Sequence, residues 1–177
     1  MTHTHDRLLI IDFGSQVTQL IARRLRELNV FCEIHPFNTV DDAFLKDFDP
    51  KAVILSGGPS SVFAEGAPMP PQSVFTLGVP ILGICYGMQL ACDVLGGRVE
   101  SAPAREYGRA HCHVTRPEEL FAGWPADAEV WMSHGDVVET PPKGFEVLAM
   151  SESDHPAVLK SDHIWCYQFH PEVTHTE

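Results

Sequence analysis

The stretch Ile81-Leu82-Gly83-Ile84-Cys85-Tyr86-Gly87-Met88-Gln89-Leu90 decides how the rest of the chain is read. Its first residues form a short apolar run, as in a strand buried on both faces. The spacing predicts a helix over 86–95, closed by Gly96-Gly97. One cysteine separates strand from helix, and glycines stand two residues to either side of it. This G-x-C-x-G spacing suits a nucleophile elbow, a strained turn whose neighbours must be small and which lifts one side chain above the sheet. A helix N-terminus beside the sulfur favours the thiolate. Read alone, the same residues fit equally well a core cysteine whose glycines only turn the chain.

Working outward, 8–12 and 52–55 are further short apolar runs that predict buried parallel strands. Three- and four-residue apolar steps predict a helix over 15–28, with Ser15 as its N-cap. A second strand is expected over 30–34, a short helix over 40–48 and another over 73–77. Strands alternating with helices across short connections indicate an α/β fold with an open, mainly parallel sheet flanked by helices. Beyond residue 98 the chain turns strand-rich, with candidates at 99–101, 107–114, 129–133, 146–150, 157–160 and 164–169. These are expected as antiparallel additions to the sheet.

The length of 177 residues suits a single domain, and 44% hydrophobic residues supply a core. Asp and Glu number 24 against 12 Lys and Arg, a formal charge of −12. That balance argues against nucleic acid or an anionic membrane surface as partner. No run is long enough to span a bilayer and no leader pattern is visible, so a soluble, cytoplasmic protein is expected. The five cysteines are irregularly spaced and none forms CxxC, which argues against a disulfide framework. No metal site is expected either. His111-Cys112-His113 would point to alternate faces of a strand, and His3-x-His5 lacks further ligands. Asp12-Phe13-Gly14 reads as a strand-to-helix turn, and Met132 to Asp136 (MSHGD) as a polar turn after a strand.

A thiol nucleophile needs a base, and the base needs an orienter. Phe169-His170-Pro171-Glu172 offers both. In an extended segment His170 and Glu172 share a face, and Pro171 between them fixes φ. An exposed turn would be the plainer reading of these four residues by themselves. Together with the elbow they make a Cys85-His170-Glu172 triad. The amide of Tyr86, and a second amide from Gly57-Gly58 at the end of a neighbouring strand, are candidates for an oxyanion hole. Open α/β sheets place ligands at that carboxyl-terminal edge.

Taken together, Gly57-Gly58-Pro59, the elbow from Gly83 to Gln89 and Phe169 to Glu172 resemble the class I, triad-type glutamine amidotransferases, whose core is flavodoxin-like. Asp12 to Gln16 (DFGSQ), Ser56 to Val62 (SGGPSSV), Arg105 to Gly108 (REYG), MSHGD and Glu172 to Thr176 (EVTHT) are most similar to the N-terminal glutaminase domains of glutamine-hydrolysing GMP synthetases. The resemblance covers the chain from Arg7 onward. It implies Cys85 as nucleophile, His170 as base and then acid, Glu172 as orienter, and the amides of Gly58 and Tyr86 as oxyanion donors. It further implies that Gln89, Ser133, Gly135 and Asp136 hold the α-amino and α-carboxylate ends of L-glutamine.

No cofactor is implied for glutamine hydrolysis itself. ATP and Mg belong to an ATP pyrophosphatase domain or subunit that takes up the ammonia and aminates XMP; the complete enzymes can be dimers. The chain as given carries no such domain and stops just after EVTHT. It is therefore expected to be an excised domain or one subunit of a two-chain enzyme, with weak, poorly coupled glutaminase activity alone. Two alternatives stay open: the glutaminase of another synthetase, making anthranilate or carbamoyl phosphate, and a non-catalytic redox or binding module with a reactive Cys85.

Overall fold

The computed structural model describes residues 5–176. Nine strands among them form one sheet in the order β2-β1-β3-β4-β9-β8-β7-β5-β6. They are β1 (Leu8–Asp12), β2 (Cys32–Pro36), β3 (Ala52–Leu55), β4 (Ile81–Ile84), β5 (Arg98–Val114), β6 (Asp127–Thr140), β7 (Glu146–Ser151), β8 (Pro156–Lys160) and β9 (Ile164–Tyr167). The first five positions of the sheet are parallel, and β8, β7, β5 and β6 continue it antiparallel. Helices α1 (Thr18–Glu27), α2 (Asp42–Phe48) and α3 (Tyr86–Val94) complete the α/β architecture expected from the alternating pattern.

The apolar runs of the parallel half are continuous because both faces are covered. Leu9, Ile11, Val53, Leu55 and Ile81 join the core that contains Met88, Leu90 and Ala91 of α3. Ile10, Ile54 and Ile84 point the other way, onto Ile21 and Ala22 of α1. Each such fully buried aliphatic chain stabilises the fold by about 1.5–3 kcal/mol relative to exposure. A third core fills the antiparallel half around Val130, Met132, Leu148, Val158 and Phe169.

Several boundaries differ from the sequence reading. Helix α1 begins at Thr18, not after a Ser15 cap, and its N-cap position is Val17 without a side-chain cap bond. The Ser15 hydroxyl instead accepts the Val17 N–H at 3.2 Å, and Thr18 Oγ1 donates to Asp12 Oδ1 at 2.8 Å. The acceptor that ties the start of α1 thus comes from the end of β1. The 99–101 and 107–114 strands are one long strand, β5, with a register shift between Ser101 and Glu106 where it pairs with β6. The MSHGD segment is not a turn. It lies inside β6, with Ser133 facing one way and buried His134 the other. Residues 73–77 form a 3₁₀ turn, Gln72–Thr76.

The turn from β4 into α3 relies on two glycines. A Cβ on Gly83 would stand 2.8 Å from the Gly87 carbonyl oxygen. A Cβ on Gly87 would collide with the Leu55 carbonyl of β3. Both obstacles are backbone and cannot swing aside. Gly87→Ala is therefore expected to destabilise the fold by about 2–3 kcal/mol, read as a lower midpoint of urea unfolding. An unchanged midpoint would show that the elbow has room to relax.

Candidate active site

Cys85 is the single residue between β4 and α3, and it adopts φ 51, ψ −107. A non-glycine residue held there is strained by about 1–3 kcal/mol. Its backbone is pinned on both sides: the amide donates to the Tyr167 carbonyl of β9 at 2.7 Å, and the carbonyl accepts from Gln89 N–H at 3.1 Å. The residue is 3% exposed, and its Sγ lies 3.4 Å from the Ser133 carbonyl oxygen of β6. The elbow thus presents the sulfur to a cleft at the carboxyl ends of the parallel strands rather than to the core.

His170 and Glu172 follow β9, the strand next to β4. Their segment is a bend leading into a turn, not the extended stretch expected from sequence. The pair forms nonetheless, with His170 Nδ1 2.7 Å from Glu172 Oε1 and both side chains buried. The other carboxylate oxygen, Oε2, is buried and has no hydrogen-bond partner among the described residues. The His170 backbone is held by its own N–H, which donates to the Trp131 carbonyl at 3.0 Å, and by Thr176 Oγ1, which donates to the His170 carbonyl at 2.7 Å. Thr176 also accepts the Trp131 N–H at 3.2 Å and so joins the histidine to β6.

Burial opposes a charge on His170, yet hydrogen bonds with Cys85 and Glu172, together with their negative charge, raise its pKa to about 10. The ring is therefore a cation at neutral pH, facing sulfur on one side and carboxylate on the other. Because its folded value lies above the free-imidazole value of 6.5, this charge contributes stability that is fully present below about pH 6.5 and lost as pH rises through about 10.

Gly57 forms the floor between the reactive groups. A Cβ there would stand 2.9 Å from His170 Cε1 and 3.7 Å from Cys85 Cβ. The next glycine, Gly58, is pressed onto Phe13, whose carbonyl oxygen would lie 2.7 Å from an added Cβ. Among the described residues no protein acceptor engages the backbone N–H of Gly58 or of Tyr86. Two donors at the mouth of the elbow are thereby left for a ligand. The Tyr86 phenol is occupied elsewhere, donating to the Pro68 carbonyl at 2.6 Å.

Gly58, Cys85, Gln89, Ser133, Gly135, Asp136 and His170 all line one cleft of about 530 Å³. Of the residues singled out from sequence, Gly57, Tyr86 and Glu172 do not line it. Tyr86 is buried at the first position of α3, and Glu172 stands behind His170. The contacts of Gln89 are largely internal. It is 3% exposed, and its amide nitrogen donates to the Asp136 carbonyl at 2.8 Å, so that nitrogen is already committed to the cleft wall. The Asp136 carboxylate accepts from Ser61 Oγ and, at 3.1 Å, from Ser101 Oγ, tying the 56–62 loop to β6. Sequence reasoning gave no role to Ser61, Arg105, Tyr107 or Thr176. The REYG and EVTHT motifs were the signal that could have pointed to the last three.

Asp12-Phe13-Gly14 is the turn expected of it: Asp12 Oδ1 accepts the Gly14 N–H at 2.9 Å. His111 and His113 are exposed on either side of buried Cys112, and His113 pairs with Asp127 at 2.8 Å. His3 lies outside the described residues. Among the described residues no helix is long and apolar enough to cross a membrane.

Residues 9–177 match the model of the family described as glutamine amidotransferase class-I. A glutamine-hydrolysing GMP synthase of Roseobacter denitrificans is 61% identical over 99% of this chain, and one of Brachyspira hyodysenteriae is 53% identical over all of it. The chain spans 35% of the length of each of these relatives. A crystal structure from Thermoplasma acidophilum, of a protein provisionally assigned as one component of a GMP synthase, superposes with a TM-score of 0.86 at 32% identity. That match covers 99% of this chain and 89% of the other.

Nitrogen NMR of the His170 ring should find it doubly protonated at about pH 8 and titrating near pH 10, with Glu172→Gln moving the midpoint down by about one unit or more. A wild-type midpoint at or below that of free imidazole would contradict the charged pairing.

Proposed function

Because the chain belongs to the glutamine amidotransferase class-I family, we propose that it hydrolyses the side-chain amide of L-glutamine through a cysteine thioester and supplies the ammonia to a synthetase. The observation that carries this reading is the buried Cys85-His170-Glu172 arrangement opening on one cleft. The Cys85 thiolate attacks the amide carbon, and negative charge develops on the carbonyl oxygen. That oxygen is received by the N–H groups of Gly58 and Tyr86. The His170 imidazolium gives its proton to the departing nitrogen, and ammonia leaves as the thioester forms. The ring, now neutral, takes a proton from water. The resulting attack on the thioester expels the Cys85 sulfur as thiolate, releases glutamate and restores the starting thiolate–imidazolium pair. Glu172 holds the ring in the tautomer and orientation that both proton transfers need.

At the polar end of the substrate, the Asp136 carboxylate suits the α-ammonium group, and the main chain at Ser133 and Gly135 borders the α-carboxylate. Gln89 shapes this wall through its bond to Asp136. The acceptor of the ammonia is taken to be XMP, aminated to GMP by an ATP pyrophosphatase domain or subunit that uses ATP and Mg. The names of the relatives, and the share of their length that this chain matches, support that assignment. Five free, buried cysteines fit a reducing, cytoplasmic setting.

Glutamate release by the chain, and its increase on adding the ATP pyrophosphatase with ATP and XMP, test both parts of the proposal. Cys85→Ala should fall to background, and His170→Ala should lose roughly 10²–10⁴-fold in kcat. GMP formation should accompany glutamate release. Coupling to chorismate or bicarbonate in place of XMP would reassign the acceptor, and retained glutaminase activity in Cys85→Ala would reject the thioester route.

A further inference from the structure

The residues assigned above to the polar end of glutamine include a carboxylate but no cation, although a free α-amino acid carries an α-carboxylate as well as an ammonium group. In a chain of formal charge −12 that carboxylate meets an unfavourable field unless a local positive charge offsets it. Arg105 is the only lysine or arginine that lines the cleft. Five other arginines pair with glutamates, Arg7 lies over the Phe48 ring and Arg26 reaches the Cys32 sulfur. Arg105 has no such partner among the described residues.

Its placement follows from the fold. Arg105 lies in the register shift of β5 between Ser101 and Glu106. Irregularities of this kind re-aim a side chain out of the ladder alternation. The side chain runs along Gly135 of β6, where a Cβ would meet its Cγ and Nε at 3.5 Å. The distance from the sulfur is also suitable. The Ser133 carbonyl is 3.4 Å from Cys85 Sγ. Two residues of strand, about 7 Å, separate Ser133 from Gly135. The four carbon–carbon bonds between the amide carbon and the α-carboxylate carbon of glutamine span about 5 Å. A substrate whose amide carbon rests at the sulfur therefore ends beside the Arg105 side chain.

We infer that Arg105 binds the α-carboxylate of the substrate and makes the site selective for a free amino acid over amides and peptides. This rests on the glutamine reading above. The guanidinium offers a planar, bidentate set of donors to a carboxylate, which a lysine matches only in charge.

The test compares two electrophiles on Cys85, the chloromethyl ketone analogue of glutamine and its counterpart with the α-carboxylate converted to an amide. In the wild-type chain the first should label faster by roughly 10- to 100-fold. Arg105→Ala should bring the ratio close to one, while Arg105→Lys should keep part of it. A purely structural contribution of Arg105 would slow both reagents alike and leave the ratio unchanged, and that result would overturn the assignment. Failure of both reagents to label wild-type Cys85 would overturn the glutamine reading and this inference together.

Discussion

The backbone at Cys85 is the constraint on which the rest depends. A cysteine at φ 51 is strained, and nothing in its own side chain offsets that strain. The compensation is tertiary. Gly83 and Gly87 let the turn fold onto itself and onto β3, and β9 supplies the carbonyl that takes the cysteine's N–H. The same strand then leads to His170, so the element that steadies the elbow also delivers the ring that hydrogen-bonds the sulfur. Positioning of sulfur and imidazole is thereby one event, the docking of β9 beside β4.

Electrostatics add a second dependence. Burying a histidine favours its neutral form, and burying a glutamate favours its protonated form. At this site the hydrogen bonds of the ring with Cys85 and Glu172 outweigh burial and favour the charged imidazolium. The arrangement keeps the ring protonated above neutral pH. It also leaves Glu172 Oε2 buried without a partner among the described residues, a cost in stability. Beyond the ring, Thr176 and Trp131 fasten the histidine backbone to β6. The antiparallel half of the sheet thus serves as the wall against which the parallel half holds its chemistry.

Much of this was legible in the residues. Continuous apolar runs at 8–12, 52–55 and 81–84 announced buried parallel strands because burial on both faces leaves no alternation. The glycine spacing around Cys85 announced an elbow because no larger residue can pass a backbone that closely. His170 and Glu172 were recognisable as a pair, although the chain reaches that pairing through a turn. Less legible were the features that depend on a cross-strand partner. Residues 102–106 look like a break between two strands, yet they lie within one long irregular strand paired with β6. Gly135-Asp136 looks like a turn, yet pairing with β5 straightens it into β6 and turns Asp136 toward Ser61 and Ser101.

By itself, then, the sequence determined the layered α/β plan, the elbow that carries Cys85 and the pairing of His170 with Glu172. Those follow from local spacing and from hard steric limits on the backbone. Tertiary structure alone decided the contents of the cleft wall: the commitment of the Gln89 amide to Asp136, the capture of His170 by Thr176 and the exposure of Arg105 without a partner among the described residues. The physical reason is range. Hydrogen bonds and ion pairs join residues tens of positions apart, and which of them form depends on strand register, a property that no short window of residues contains.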